Sequence, residues 1–391
     1  MIARARRILH LLRLLLTGSW RTPTHAEVLL LFADGADVLA SVLDAGTLAI
    51  LDPREHSVNT RIALHCLIRG RPSTVDYVVE YVQRVRPRVL LTFLDNYWQF
   101  YEIKDHLPEV RIIAVQNGVR GASGDVFGVA ETIGPSRVAA WHVDDLCVFG
   151  PAVGREYARY VRGRQHVIGS VKNNAVPRTA GAGPLLGYIS TWRAGVSPDQ
   201  LVAIHGSSRS ITMRQVYARR DQLVRFLDEY ARGLGSQLLL IGKDSAPNYL
   251  KHYRSVLGHE DFAYSPREDW GTSYRAVDRP NLLVFSSSTL GYEALGRGKR
   301  TAAFFVDIEL TGAISERFGW PLNLPDDGPF WTHHYDESRF HDILDHLRTM
   351  SDAQWHSCSD DVVRELIVFD ERNHSLAALL RSDRSNPSTL P

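Results

Sequence analysis

One pattern constrains this chain more than any other: short apolar runs alternate with stretches of helical spacing, first in one half and then again in the other. Val28–Phe32, Leu48–Leu51, Val89–Leu94, Ile112–Gln116, Leu146–Phe149 and His166–Ile168 predict strands. Ala36–Leu43, Thr60–Ile68, Val75–Val85, Tyr97–His106 and Gly154–Tyr160 predict the helices between them. Strands that are apolar throughout need both faces covered, and crossover helices on a parallel sheet do that. Val176–Pro184 is rich in Pro, Gly and Ala and reads as a linker. A second set follows, with strands predicted at Leu185–Ser190, Gln237–Ile241, Phe262–Tyr264, Leu282–Phe285 and Thr301–Phe305. Thr212–Arg232, Pro247–Val256, Leu290–Gly296, Glu337–Met350 and Asp361–Phe369 predict its helices. The expected organisation is α/β: an amphipathic start at 1–24, a first unit at 25–178, a second at 185–336 and C-terminal helices at 337–381.

The 391 residues are long enough for two sizeable cores. Lys and Arg total 45 against 44 Asp and Glu, so the formal charge is +1 and no basic excess points to nucleic acid. Cys66, Cys147 and Cys358 lie far apart, which indicates neither a disulfide framework nor a cysteine zinc site and fits a cytoplasmic location. In the first twenty residues, leucines alternate with a stripe of Arg6, His10, Arg13 and Thr17. Arg13 interrupts the apolar core that a cleaved signal would need. Two readings stand: a basic helix in peripheral contact with the inner membrane face, or a helix that packs its leucines on the protein itself.

Ligands of open parallel sheets bind beyond the carboxyl ends of the strands, so polar residues just after each strand are the candidates for chemistry. Several familiar sites are missing: no GxGxxG, no HExxH, no DxD, and a Walker-like Gly291–Lys299 spoiled by Glu293. Adjacent His333 and His334 would point apart, so no metal is expected, and no cofactor either. The strongest local signal is FSSSTLGYEALGRGKR, Phe285–Arg300. There a strand ends in four hydroxyls, Ser286, Ser287, Ser288 and Thr289, at the start of a helix, which is a ready anion site. One hydroxyl would suffice for an ordinary cap; four favour phosphate. Glu293, one turn further on, could accept from ribose hydroxyls or cap the helix. Lys243 in IGK and Arg193 in YISTWR end two other strands of this half, as cations able to grip phosphate or carboxylate. In the first half Asp34, Glu55 and Asp95 follow strands and are candidate catalytic carboxylates, although a lone Asp there is more often a helix cap. Asn96 and the run Gln116, Asn117, Arg120 would orient the substrate.

In order, LLLFADG, LDPREHSVN, LTFLDN, QNGVR, GSVKNN, YISTWR, SSSTLGYEALGRGK, FGW…GPFWT and VFDERN resemble a family of bacterial surface-carbohydrate biosynthesis proteins, from about Val28 to Leu380. That family is similar to glycosyltransferases built from two Rossmann-like domains facing a cleft, the GT-B type, and in particular to retaining transferases of Kdo (3-deoxy-D-manno-oct-2-ulosonic acid). SSTLGYEAL also resembles the nucleotide-binding segment of sugar-nucleotide 2-epimerases and polyol-phosphate transferases. The resemblance implies a nucleotide-sugar donor, CMP-linked if the sugar is an ulosonic acid, held in the second domain by Ser286–Thr289, Glu293 and Lys243. It implies a glycan or lipid-linked glycan acceptor on the first domain, and Arg193 or Arg120 on the carboxylate of the donor sugar. The other expectations are a 2-epimerase of the same fold and a non-catalytic nucleotide- or glycan-binding partner in a membrane assembly.

Overall fold

The structure, a computed structural model, describes residues 18–44, 46–54, 58–121, 125–179, 181, 186–204, 207–242, 247–312 and 316–382. Of the expected helix over 1–24, residues 1–17 lie outside the described residues and residues 18–24 are not helical; Glu55 and Lys243 also lie outside the described residues. Among the described residues, no helix is long and apolar enough to cross a membrane.

Six parallel strands form the first sheet: β1 (Val28–Leu31), β2 (Leu48–Leu51), β3 (Val89–Thr92), β4 (Arg111–Val115), β5 (His142–Val148) and β6 (Arg162–Val167), in the order β2-β1-β3-β4-β5-β6. Successive side chains of a strand point to opposite faces, so each apolar strand feeds two cores. Leu29 and Leu31 pack with α1 (Thr60–Ile68) and α2 (Thr74–Val85) through Ile62, Cys66, Val78 and Val82. Val28 and Leu30 pack on the opposite face.

The second sheet contains β7 (Leu186–Ile189), β10 (Leu238–Ile241), β11 (Ala263–Ser265), β12 (Leu282–Phe285), β13 (Thr301–Phe304) and β14 (Trp331–Thr332), in the order β11-β10-β7-β12-β13-β14. A small hairpin of β8 (Leu201–Ala203) and β9 (Ser210–Thr212) leads into α3 (Met213–Gly233), whose first turn is closed by reciprocal bonds between Thr212 and Gln215. Counted from β7, the strands run third, second, first, fourth, fifth, sixth, the doubly wound dinucleotide-fold order whose direction reverses between β7 and β12. From Phe285 the chain enters α4 (Thr289–Gly296). Gly291 brings this helix against the Phe285 ring, where a Cβ would stand 2.1 Å from ring carbons.

The C-terminal helices divide between the halves. Glu337–Thr349 gives Phe340, Ile343, Leu344 and Leu347 to the second core. Beyond α5 (Asp352–Leu366) the chain crosses back, with the Val368 N–H donating to Phe149 O at 2.9 Å. Then α6 (His374–Arg381) places Leu376, Leu379 and Leu380 beneath Val28 and Leu30. The outgoing crossing is fixed by Arg297, whose side chain is fully buried. It pairs with Asp278 through two bonds, Nε–Oδ1 at 2.9 Å and Nη2–Oδ2 at 2.5 Å. Its remaining donors reach the carbonyls of Asn173, Val176 and Pro177. Removing one member of such a pair strands a buried charge, so Arg297→Ala should cost about 3–5 kcal/mol of unfolding free energy in urea titration, and Arg297→Lys, lacking the planar fork, should not restore it.

Candidate functional site

The carboxyl ends of the two sheets meet. At the direction reversal of the second sheet, between β7 and β12, a pocket of about 480 Å³ opens, and residues of both halves line it. From the second half come Arg193, after β7, and Ser287, Ser288, Thr289 and Glu293, after β12; Asn117 comes from the first half. The structure therefore brings six of the expected site residues to one cavity.

The four hydroxyls have different situations. Ser286 Oγ is fully buried and lacks a hydrogen-bond partner among the described residues. Ser287 is exposed, with φ 46° in the left-handed region, and its Oγ lies 3.4 Å from Nη2 of Arg220. Arg220 is in turn held by Asp307 and, at 2.8 Å, by Thr191. Ser288 occupies the N-cap of α4, yet its side chain makes no capping bond. Thr289 Oγ1 accepts the Val119 N–H across the cleft at 3.1 Å. An ordinary side-chain cap therefore does not account for the run, and the N-terminus of α4, through Ser288, Thr289 and Leu290, lines the pocket.

Three cations line the same cavity: Lys172, Arg193 and Arg267. None of them forms an ion pair among the described residues. Lys172, Arg267, Trp270 and Ser273 were not expected from the sequence. The signal that would have found two of them is the positional rule itself. Lys172 follows the end of β6, and Arg267 comes two residues after β11.

The first half corrects several expectations. Asp95 is buried rather than open to an acceptor hydroxyl. Arg120 Nε donates to its Oδ2 at 2.7 Å, and Nη2 donates to its Oδ1. The Tyr157 hydroxyl adds a bond to Oδ2 at 2.5 Å and the Asn117 N–H one to Oδ1 at 3.1 Å. Burial pushes both Tyr157 and Tyr101 well above the ordinary phenol range, so they remain donors to this residue. Arg120, expected to grip an anion, is instead buried against Asp95, Asn117 and Asp125. Gln116 is a brace as well: its Nε2 donates to Gly118 O and its Oε1 accepts from Phe149 N–H, both at 2.8 Å. Asn96 is exposed and does not line the pocket. Asp34 is exposed and paired with Arg54 at 2.6 Å, away from the pocket lining.

Glu293 is buried, and both of its protein donors converge on Oε1: Ser170 Oγ at 2.5 Å and the Tyr274 hydroxyl at 3.1 Å. Burial pushes its carboxyl up, against the pull of these two hydroxyls.

Comparisons with known proteins agree with this geometry. A family model described as "putative O-antigen biosynthesis protein" matches residues 113–384, most of the chain. The chain belongs to this O-antigen biosynthesis family. No curated protein matches it. Among solved structures, the putative UDP-N-acetylglucosamine 2-epimerase from Listeria monocytogenes is similar, with 12% identity over 92% of this chain and 97% of that one and a TM-score of 0.54. The wall teichoic acid polymerase TagF (12%, 92% and 89%, TM-score 0.49) and a glycosyltransferase from Rickettsia africae (8%, 93% and 100%, TM-score 0.49) also match. These likenesses concern fold. This O-antigen family member has two Rossmann-like domains facing a cleft, the GT-B type.

Two outcomes follow from the buried groups. Asp95→Asn leaves buried Arg120 with only the more distant Asp125 carboxylate at 3.5 Å and should cost about 3–5 kcal/mol in chemical denaturation, whereas a purely catalytic Asp95 would leave stability unchanged. For Glu293, a raised folded pKa means that its stabilising contribution is full below the unfolded range near 4.5 and is lost as pH rises through the folded value. Glu293→Gln removes that loss, so the Tm difference, variant minus parent, should climb from pH 4.5 towards neutrality; a flat difference would contradict the burial argument.

Proposed function

We propose that the chain is a glycosyltransferase that moves a sugar from a nucleotide donor to a bacterial surface glycan of the O-antigen kind. The observation that carries this reading is the convergence of Lys172, Arg193 and Arg267 with the Ser287–Thr289 hydroxyls on one inter-domain pocket. Cations that form no ion pair among the described residues, next to a helix N-terminus, suit a ligand that carries several negative charges. A CMP-linked ulosonic acid such as Kdo fits that description, with one phosphate and one sugar carboxylate. In this reading the phosphate lies at Ser288 and the first turn of α4, the carboxylate faces Arg193, and the open oxygen of Glu293 accepts from ribose.

During transfer the bond from the anomeric carbon to the phosphate oxygen breaks, and a bond to the acceptor oxygen forms. Negative charge grows on the departing phosphate, where Lys172 and Arg267 are already in place, while Arg193 faces the sugar carboxylate. These side chains supply that stabilisation without a divalent ion. The acceptor lies over the carboxyl edge of the first sheet. Asp34 is assigned the acceptor proton, with Glu55, which follows Leu51 in sequence by four residues, as the second candidate. Asp95 and Arg120 position the loop that carries Asn117.

A 2-epimerase is the second reading, since a protein so described shares the fold. It needs no acceptor, so isomerised nucleotide sugar formed from donor alone would favour it. The primary test is calorimetric titration with CMP, UDP, GDP and CDP. One nucleotide should bind, and Ser287→Ala with Ser288→Ala should weaken it roughly 10- to 100-fold at unchanged Tm, as expected for lost bonds to a charged group. Absence of nucleotide binding, or an unaltered affinity in the double variant, would contradict the proposal.

A further inference from the structure

The two loops that meet at the direction reversal of the second sheet are built differently. After β7 the backbone is tied down by neighbouring side chains. Ser190 Oγ lies 2.5 Å from the Tyr253 hydroxyl and accepts the Trp192 N–H at 3.2 Å. The Tyr249 hydroxyl donates to Trp192 O, and the Trp192 ring stacks on His252 with centroids 4.5 Å apart. After β12, only Ser286, Ser287 and Ser288 separate Phe285 from α4. Ser286 Oγ has no partner among the described residues, and Ser288 makes no capping bond. Ser287 stands between them at φ 46°. A residue with a Cβ takes the left-handed conformation at a cost, and keeps it only where its surroundings dictate it. Because the connection is so short, that one dihedral decides where Ser288 and the N-terminus of α4 point.

The side chain that meets Ser287 is Arg220, from α3. Its guanidinium spans three strand ends. Nη1 donates to Thr191 Oγ1 after β7 at 2.8 Å, and Nε donates to Asp307 Oδ2 after β13 at 2.7 Å. Nη2 donates to the same carboxylate oxygen and lies 3.4 Å from Ser287 Oγ. Arg220 does not line the pocket and its charge is matched by Asp307, whereas Ser287, Ser288 and Thr289 do line it. A planar fork gripped on two sides gives the Ser287 loop a fixed surface to rest on, and carries the order of the β7 loop across to it. We propose that Arg220 is a positioning residue for the nucleotide phosphate: anchored on Asp307 and Thr191, it holds Ser287 left-handed, so that Ser288 and the N-terminus of α4 face the pocket. The inference rests on the nucleotide-sugar reading of that pocket and adds to it a side chain that acts without touching the ligand.

Calorimetric titration of the full-length chain tests it, with whichever of CMP, UDP, GDP and CDP binds and with the nucleoside of the same base. Arg220→Lys keeps a charge beside Asp307 but cannot reach Thr191 and Ser287 as well. Its nucleotide affinity should fall about tenfold at unchanged Tm, while the nucleoside, which lacks the phosphate, should bind as it does to the parent. Glycine takes a positive φ without a tether. In a Ser287→Gly background Arg220→Lys should therefore cost nothing further, and Ser287→Gly should bind nucleotide more tightly than Ser287→Ala. Should Arg220→Lys unfold, Arg220→Gln with Asp307→Asn removes both charges together and is read in the same way. An unaltered nucleotide affinity in Arg220→Lys, equal losses for nucleotide and nucleoside, or a Ser287→Gly variant no tighter than Ser287→Ala would each overturn the inference. The same loss in the Ser287→Gly background would overturn it too, by making Arg220 a direct ligand of the phosphate. All four outcomes leave the nucleotide reading standing; a parent chain that binds none of the four nucleotides would overturn both.

Discussion

The buried pair of Asp95 and Arg120 is the contact on which the cleft depends. It joins the end of β3 to the loop after β4, and both charges are out of water. The same carboxylate takes the Asn117 N–H, while Arg120 takes the Asn117 side-chain oxygen at 2.5 Å. Residues 117–119 are thereby held in one shape, with Asn117 in the pocket wall and the Val119 N–H aimed at Thr289. A loop this close to a ligand site would otherwise be free to sample many conformations. The desolvation cost of the pair is offset by the number of bonds that surround it, which is the condition under which a buried ion pair is tolerated.

From that fixed loop the division of labour between the halves follows. Each sheet reverses direction once, and each reversal opens a crevice at the carboxyl edge. In the second sheet, hydroxyls and three cations that form no ion pair among the described residues surround the crevice. In the first, aromatic and aliphatic groups do, and the nearby charges neutralise one another. The same fold rule thus yields one cavity lined by cations and hydroxyls and another lined mainly by apolar groups. Arg297 and the returning α6 tie the halves at the far side of the cleft.

Strand and helix positions were largely legible because parallel strands are apolar throughout. Leu282–Phe285 matches residue for residue, and the helix expected at Thr212–Arg232 is Met213–Gly233. The misses have physical causes. β6 begins at Arg162 as an exposed edge strand, so it lacks the apolar signal. Tyr97–His106 was expected to be one helix but forms two short 3₁₀ turns, Trp98–Glu102 and Lys104–His106. At the site, the hydroxyl run and Arg193 could be read because they immediately follow strong strands. Asp95 and Arg120 could not be read correctly: the sequence shows that a carboxylate follows a strand, but not that a partner twenty-five residues later will bury it. Lys172 and Arg267 lay within reach of the same positional rule, each following the end of a strand that was only partly delineated.

In the proposed function the cleft pocket of the second sheet holds the phosphate of a nucleotide sugar. A crystal structure of the full chain with its bound nucleotide tests it most directly. Phosphate oxygens should lie within hydrogen-bond distance of Ser288 or the first turn of α4, with Arg193, Lys172 or Arg267 alongside. A nucleotide found at the apolar crevice of the first sheet, or elsewhere with those cations untouched, would contradict it.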